Sequence, residues 1–319
     1  MCEELNGLKI FNKYYIIVYP PILIFFGVTN NVMILILMSS KIRSMKSRQD
    51  HMPVYYLALS IGDALASVFL LLPKWLKNAF KLDPFSVSEV SCRILPKFIP
   101  FTISDFCIWL VVVMTIDVFI RIYFPIQFKI LVKIKRVYFT IFSLVLLALL
   151  KNCWYVFENS ISDSVCSFNN RSFVATYFST YPSFIVSMVL VSILPVTAIV
   201  CLNVLIFLKW RKLYPKIKST NSFDQVNETQ QNTIKIFLVI SVTFSIYVTP
   251  NFLLLPFSNF NFKECSKFIY IFIFRITESI FYLNHITNFY FYILLSKSYR
   301  NELMNRLKFL KNNVISNSR

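Results

Sequence analysis

Apolar residues run along the chain in seven long blocks, near 14–38, 53–73, 94–120, 137–157, 177–208, 233–257 and 268–295, with short charged connections between them. A hydrocarbon layer about 30 Å thick takes roughly 20 predominantly apolar residues per helical crossing, and each block reaches that length. Lipid offers no water to backbone amides, so each block must satisfy its own hydrogen bonds as a helix. The pattern predicts an all-α membrane protein, a seven-transmembrane helix bundle. Beyond it, Tyr299, Leu303, Leu307 and Leu310 recur at helical spacing between basic residues, which predicts a short amphipathic eighth helix lying on the inner leaflet. The expected domains are an extracellular amino terminus (1–13), the bundle (14–295), and the eighth helix with a short cytoplasmic tail (296–319).

Composition sharpens this. Only 3 Gly occur among 319 residues, against 34 Phe and 17 Tyr, which disfavours a transporter built on glycine-broken helices. No alternating apolar and polar run suggests a membrane barrel. Positive charge sets the orientation, because short cytoplasmic loops retain Lys and Arg. Lys41, Arg43, Lys46 and Arg48, then Arg121 to Arg136, then Lys209 to Lys218, and the stretch after Lys297 all fall on one side. That side is expected to be cytoplasmic, with the amino terminus outside. The formal charge of +18 is then a topology signal plus attraction to anionic membrane lipid, and no soluble basic domain exists to bind nucleic acid. The first block is too long for a signal-peptide core and lacks a small-residue cleavage site, so it is expected to remain as an anchor.

By predicted depth, Cys107, Cys153 and Cys201 lie within helices, while Cys2, Cys92, Cys166 and Cys265 lie on the oxidising side, where cysteines tend to pair. A Cys92–Cys166 bond would tie the second outer loop over the bundle, a constraint worth about 3–5 kcal/mol by chain entropy. Cys2 and Cys265 are either a second pair or free thiols. Asn170-Arg171-Ser172 in the same loop is a glycosylation sequon. Asn227-Glu228-Thr229 also matches but falls in an inner loop and should stay bare.

Polar landmarks inside the blocks follow a specific order. Gly27 to Asn31 reads G-x-x-x-N. Leu57 to Asp63 is a leucine-rich approach to a buried Asp. Asp117-Val118-Phe119, with Ile122 and Pro125, fits the frame D-R-Y-x-x-I-x-x-P except at Val118. Pro195 stands in the fifth block, Phe244 to Pro250 reads like F-x-x-C-W-x-P, Asn288 to Tyr292 like N-P-x-x-Y, and Tyr299 to Leu303 like F-R-x-x-L. In this order, across all seven blocks, the chain resembles the rhodopsin-like family of G-protein-coupled receptors, and its Asn-Phe start to the seventh-helix motif is similar to invertebrate neuropeptide receptors. The departures are Val118 for Arg, Phe289 for Pro, Val248 for Trp, and no fourth-helix Trp. Cys92 also lies one residue further from Asp117 than the family spacing, so a bulge at Pro96 or Pro100 is expected.

The resemblance implies roles. Asp63, Asn284, His285 and Asn288 would share a mid-membrane polar core where this family commonly binds sodium; the alternative is a hydrogen-bonded core without an ion, because the third-helix position that usually supplies a hydroxyl is Cys107. Asp117, Val118, Phe119, Arg121, Phe244, Pro250 and Tyr292 would form the coupling and switch machinery, with Arg121 near enough to Asp117 to pair with it. Charges in the outer bundle, Lys74, Asp105, Arg275 and Glu278, with Trp75, are the candidate ligand pocket; Arg275 and Glu278 at a spacing of three could instead neutralise each other, and Lys74 could snorkel to the interface. Ile99 and Pro100 stand where amine receptors carry an Asp, and no Lys lies between Phe268 and Ser296 to hold retinal, so amine and retinal ligands are disfavoured.

The expectation is a plasma-membrane receptor, not an enzyme and without a cofactor, that transmits binding of an extracellular ligand, a neuropeptide by preference, to a heterotrimeric G protein. The rivals are a small-molecule chemosensory receptor of the same fold and, in another class, a seven-span transporter or channel subunit, whose internal repeat or paired broken helices are not evident.

Overall fold

The structure, a computed structural model, describes residues 6–44, 51–131, 133–169, 172–173, 189–218, 224–254, 257 and 264–317. The first span is a single helix, Asn6–Ser44, beginning well ahead of the apolar block that predicted it and carrying Pro20 and Pro21. The second breaks into Met52–Phe69 and Leu72–Phe80. Pro73 has no N–H to return to the preceding turn, so the break falls beside it.

The third span runs Glu89–Arg93, a single π-helical turn Ile94–Phe98, then Ile99–Tyr123. Such a turn lodges one extra residue in a helix. It contains Pro96 and accounts for the added residue between Cys92 and Asp117. A short helix, Pro125–Leu131, leads to the fourth span, Ile134–Asn152. The fifth is described from a π turn, Val189–Ile193, into Leu194–Lys218; the first part of its predicted block lies outside the described residues. The sixth is Asp224–Leu254, with Pro250 inside it, the seventh Glu264–Leu295, and the amphipathic helix Lys297–Asn317.

Six of these helices are long and apolar enough to cross a membrane among the described residues. The apolar run of the seventh is diluted by Arg275, Glu278, Asn284, His285 and Asn288. The spans close into a bundle: the first packs on the second and seventh, the third on the second, fourth and fifth, and the sixth on the fifth and seventh. Tyr56, Phe237, Phe244 and Tyr292 are fully buried between them. Large apolar side chains also cover the outside, with Phe139, Phe142, Leu147 and Leu150 along the fourth span and Phe25, Leu208, Leu253 and Leu294 elsewhere. Lipid is the solvent such a surface fits.

Gly27 lets the first two spans touch, since a Cβ there would lie 2.2 Å from Ser67 Oγ.

The connection after the fourth span forms a two-stranded antiparallel hairpin, β1 (Asn159–Ser162) and β2 (Val165–Phe168), that sequence reasoning did not anticipate. Its turn residues Asp163 and Ser164 have φ of 50° and 62°, as a two-residue hairpin loop requires. The disulfide Cys92–Cys166 pins β2 to the third span. Around it, the Cys166 N–H donates to Ser86 Oγ (3.0 Å), the Ile161 N–H donates to Glu89 Oε2 (3.0 Å), and Lys97 pairs with Glu158. Arg93 Nε also donates to Glu89 Oε1 (2.8 Å).

Candidate functional site

Among the described residues, polar side chains gather at several levels of the bundle. At the end capped by the disulfide, the second and seventh spans face the first across a charged rim. Glu278 on the seventh accepts from Arg275 Nη1 (3.0 Å), Lys74 Nζ (3.3 Å) and Tyr282 OH (3.1 Å). The Tyr15 hydroxyl donates to the Arg275 carbonyl (3.1 Å) and Trp75 Nε1 to the Ile17 carbonyl (2.8 Å), so the first span holds both neighbours in place. Beside the rim lies a cavity of about 440 Å³ lined by Lys74, Lys77, Asn78, Phe85, Tyr270, Ile271, Phe274, Arg275 and Glu278. Lys77 also bonds Asp83 (2.7 Å). Burial raises the Asp83 carboxyl, but Lys77 and the Phe85 N–H outweigh it and leave the group below its ordinary range.

Asp105 does not join this rim. It is buried against the fourth span, where its Oδ2 accepts from Lys151 Nζ and Asn152 Nδ2, both at 2.7 Å. The structure thus sets Asp105 apart from the other residues expected in the ligand pocket, with Lys151 of the fourth span as its cation. A Lys and Asn closing the fourth apolar block were the available signal.

Midway along the bundle, fully buried Asp63 bonds His285 Nδ1 through Oδ1 and Asn288 Nδ2 through Oδ2, each at 2.7 Å. Asn31 donates to the carbonyls of Gly27 (2.8 Å) and His285 (2.7 Å), and Asn30 to that of Ile286 (3.1 Å). Asn284 is buried in the same span. The residues do not suit sodium. A hard cation wants oxygen ligands, yet beside Asp63 the seventh span presents the His285 imidazole and the third span the Cys107 thiol.

At the opposite end, buried Asp117 is hydrogen-bonded to His51 Nε2 at 2.5 Å. The partner foreseen for Asp117 was Arg121; the partner described is His51, at the start of the second span. The Arg121 guanidinium stacks 4.7 Å over the Phe128 ring. Val118 is buried, and Phe119 stacks on Tyr123 (ring centres 4.5 Å), whose hydroxyl donates to the Leu205 carbonyl (3.0 Å). Tyr292 packs edge-on to Tyr56 (4.8 Å) and Tyr299 (5.7 Å), bringing the seventh span to the amphipathic helix. That helix is fastened by Ser40 Oγ donating to Glu302 Oε1 (2.8 Å) and by Lys41 over the Tyr299 ring (4.1 Å). Phe244 and Val248 are buried in the sixth span less than about two turns before Pro250. Asn170, Cys2 and the Cys265 side chain lie outside the described residues.

This arrangement of spans and landmark residues defines a seven-helix membrane receptor. The chain belongs to the 7 transmembrane receptor (rhodopsin) family, whose model matches residues 30–292. It is a family of receptors, not of enzymes. No individual curated protein matches the chain.

Proposed function

We propose that the chain is a plasma-membrane receptor, amino terminus outside, that passes binding of a peptide in the cavity beside Lys74, Arg275 and Glu278 to a heterotrimeric G protein. The observation that carries this reading is the charge of the cavity wall. Lys74, Lys77 and Arg275 face it with a single carboxylate, Glu278, among the described lining residues. A ligand bearing an acidic group gains there what a neutral volatile would not. Tyr270, Phe274 and Phe85 supply the apolar and aromatic wall that a peptide side chain packs against.

Signalling would be a population shift in which ligand binds more tightly to the state whose inner ends of the fifth and sixth spans are apart. Pro250 supplies the bend about which the sixth span moves. Asp117, Val118, Phe119, Arg121 and Tyr292 stand at the end facing the G protein, and the basic connections recruit anionic lipid. The domain division 1–13, 14–295 and 296–319 follows this reading, although the first helix extends into the amino-terminal segment. The test is agonist-stimulated guanine-nucleotide exchange in reconstituted membranes, screened with acidic and neutral peptides. Activation by neutral volatiles and not by peptides would replace this reading with the chemosensory one.

A further inference from the structure

The chemistry at the bundle centre differs from its neighbours in the kind of donor it gathers. Asp63 on the second span, Cys107 on the third and His285 on the seventh each present one ligand atom, all within 4.8 Å of one another and all buried. Gly62 makes room for this. A Cβ there would sit 2.5 Å from Cys107 Sγ, so the thiol seats against bare backbone next to Asp63.

We propose that Asp63, Cys107 and His285 bind a single Zn²⁺ ion, placing a thiophilic divalent cation where a hard monovalent one does not fit. Sulfur, imidazole nitrogen and carboxylate oxygen are the ligand types of zinc, with bonds of about 2.0–2.3 Å. Tetrahedral bonds of that length set ligand atoms roughly 3.3–3.7 Å apart. The Asp63–His285 contact, now 2.7 Å, has to open by under about 1 Å, and the others to close within their present 4.8 Å limit. Asn288, already on Asp63, is placed to orient the carboxylate from outside the ligand set.

Charge favours the same ion. The Cys107 thiol proton leaves on coordination, since a coordinating thiol is deprotonated, and His285 ligates as neutral imidazole. Carboxylate and thiolate then balance the two positive charges, which leaves a neutral complex in a region where net charge is costly. The complex would join the second, third and seventh spans.

The site rests on the family fold and not on the ligand reading, so its test needs no agonist. Purified receptor in detergent, stripped with chelator and carrying Cys153→Ser and Cys201→Ser to remove the exposed thiols among the described residues, together with Cys2→Ser and Cys265→Ser, is titrated with Zn²⁺. Bound metal and thermal midpoint are measured, and Co²⁺ is used as a spectroscopic probe. One equivalent of zinc should bind and raise the midpoint, and the Co²⁺ form should show thiolate-to-metal absorption. Cys107→Ser, near-isosteric and expected to fold, should weaken zinc by more than about tenfold and abolish that absorption; His285→Asn should weaken zinc similarly. Absence of stoichiometric zinc, or zinc binding indifferent to Cys107→Ser, overturns the proposal, as does stabilisation by Na⁺ with none by Zn²⁺.

Discussion

Removing the His51 side chain isolates a buried carboxylate, and the consequence can be sized. His51 is 0% and Asp117 5% exposed, so water cannot replace the lost partner. Breaking a buried pair from one side costs about 3–5 kcal/mol. His51→Ala also removes ring contacts with Tyr55 (5.9 Å) and Phe128 (5.4 Å), so the single substitution mixes packing with pairing. A double-mutant cycle of His51→Ala and Asp117→Asn separates them, because the packing loss is common to both His51 arms. A hydrogen bond to a charged group is worth about 1.5–3 kcal/mol, so the coupling should fall in that range, roughly ten- to 150-fold in the folding equilibrium.

Denaturant titration of the four purified proteins in mixed micelles measures it. The pair also ties the inner ends of the second and third spans together, so His51→Ala should raise ligand-independent nucleotide exchange at matched surface expression. Additivity of the two substitutions within about 0.5 kcal/mol would refute the pairing argument. Unchanged basal exchange alongside a clear coupling would confine it to stability.

Glu278→Gln and Arg275→Gln should each reduce agonist potency by more than about threefold, or roughly 0.7 kcal/mol; smaller effects in dose–response assays would make the pair purely structural. On intact cells, Asn170 should carry glycan and Asn227 none, and non-reducing peptide mapping should recover Cys92 joined to Cys166; sugar on Asn227 would invert the orientation. The Glu89 carboxylate holds the hairpin to the third span by accepting from the Ile161 N–H. Hydrogen exchange at the Ile161 amide should therefore accelerate in Glu89→Ala, and an unchanged rate would show that the contact does not hold the hairpin. Val118→Arg should increase agonist-stimulated exchange and Arg121→Ala should reduce it, read at matched surface expression; indifference to both would assign partner recognition to the basic loops.

What could be read in the sequence was what each position declares locally. An apolar run reports a span whatever its neighbours are, and the extra residue between Cys92 and Asp117 forecast a helical irregularity that the structure places at Ile94–Phe98. Arg275 and Glu278 are visible as a pair because they share a helix face. The missed contacts are those between spans distant in sequence. Nothing near His51 points to Asp117, 66 positions away, and Asp105 reads equally well as a pocket acid until the fourth span brings Lys151 to it. The hairpin escaped notice because Asn159-Ser160-Ile161-Ser162 is weakly β-prone and its turn is Asp163-Ser164, without the glycine that announces most such turns.

The departure at Val118 comes with a compensating partner for its neighbour Asp117. Had the inner motif simply decayed, the carboxylate of Asp117 would be the costly remnant, since a buried acid without a partner destabilises more than its removal. It remains, and His51 meets it from the second span. An Arg next to Asp117 on the third span has the reach to leave the carboxylate and contact a G protein; a His fixed at the start of the second span has not. Tethering and partner contact would thus be divided between residues here, with His51 holding the resting arrangement and the contact falling to Arg121 and the basic connections. The same logic applies at the bundle centre. On the zinc proposal, a Cys where the third span would offer a hydroxyl, a His bonded to Asp63 and a glycine clearing space for the thiol act together, replacing oxygen donors with sulfur and nitrogen.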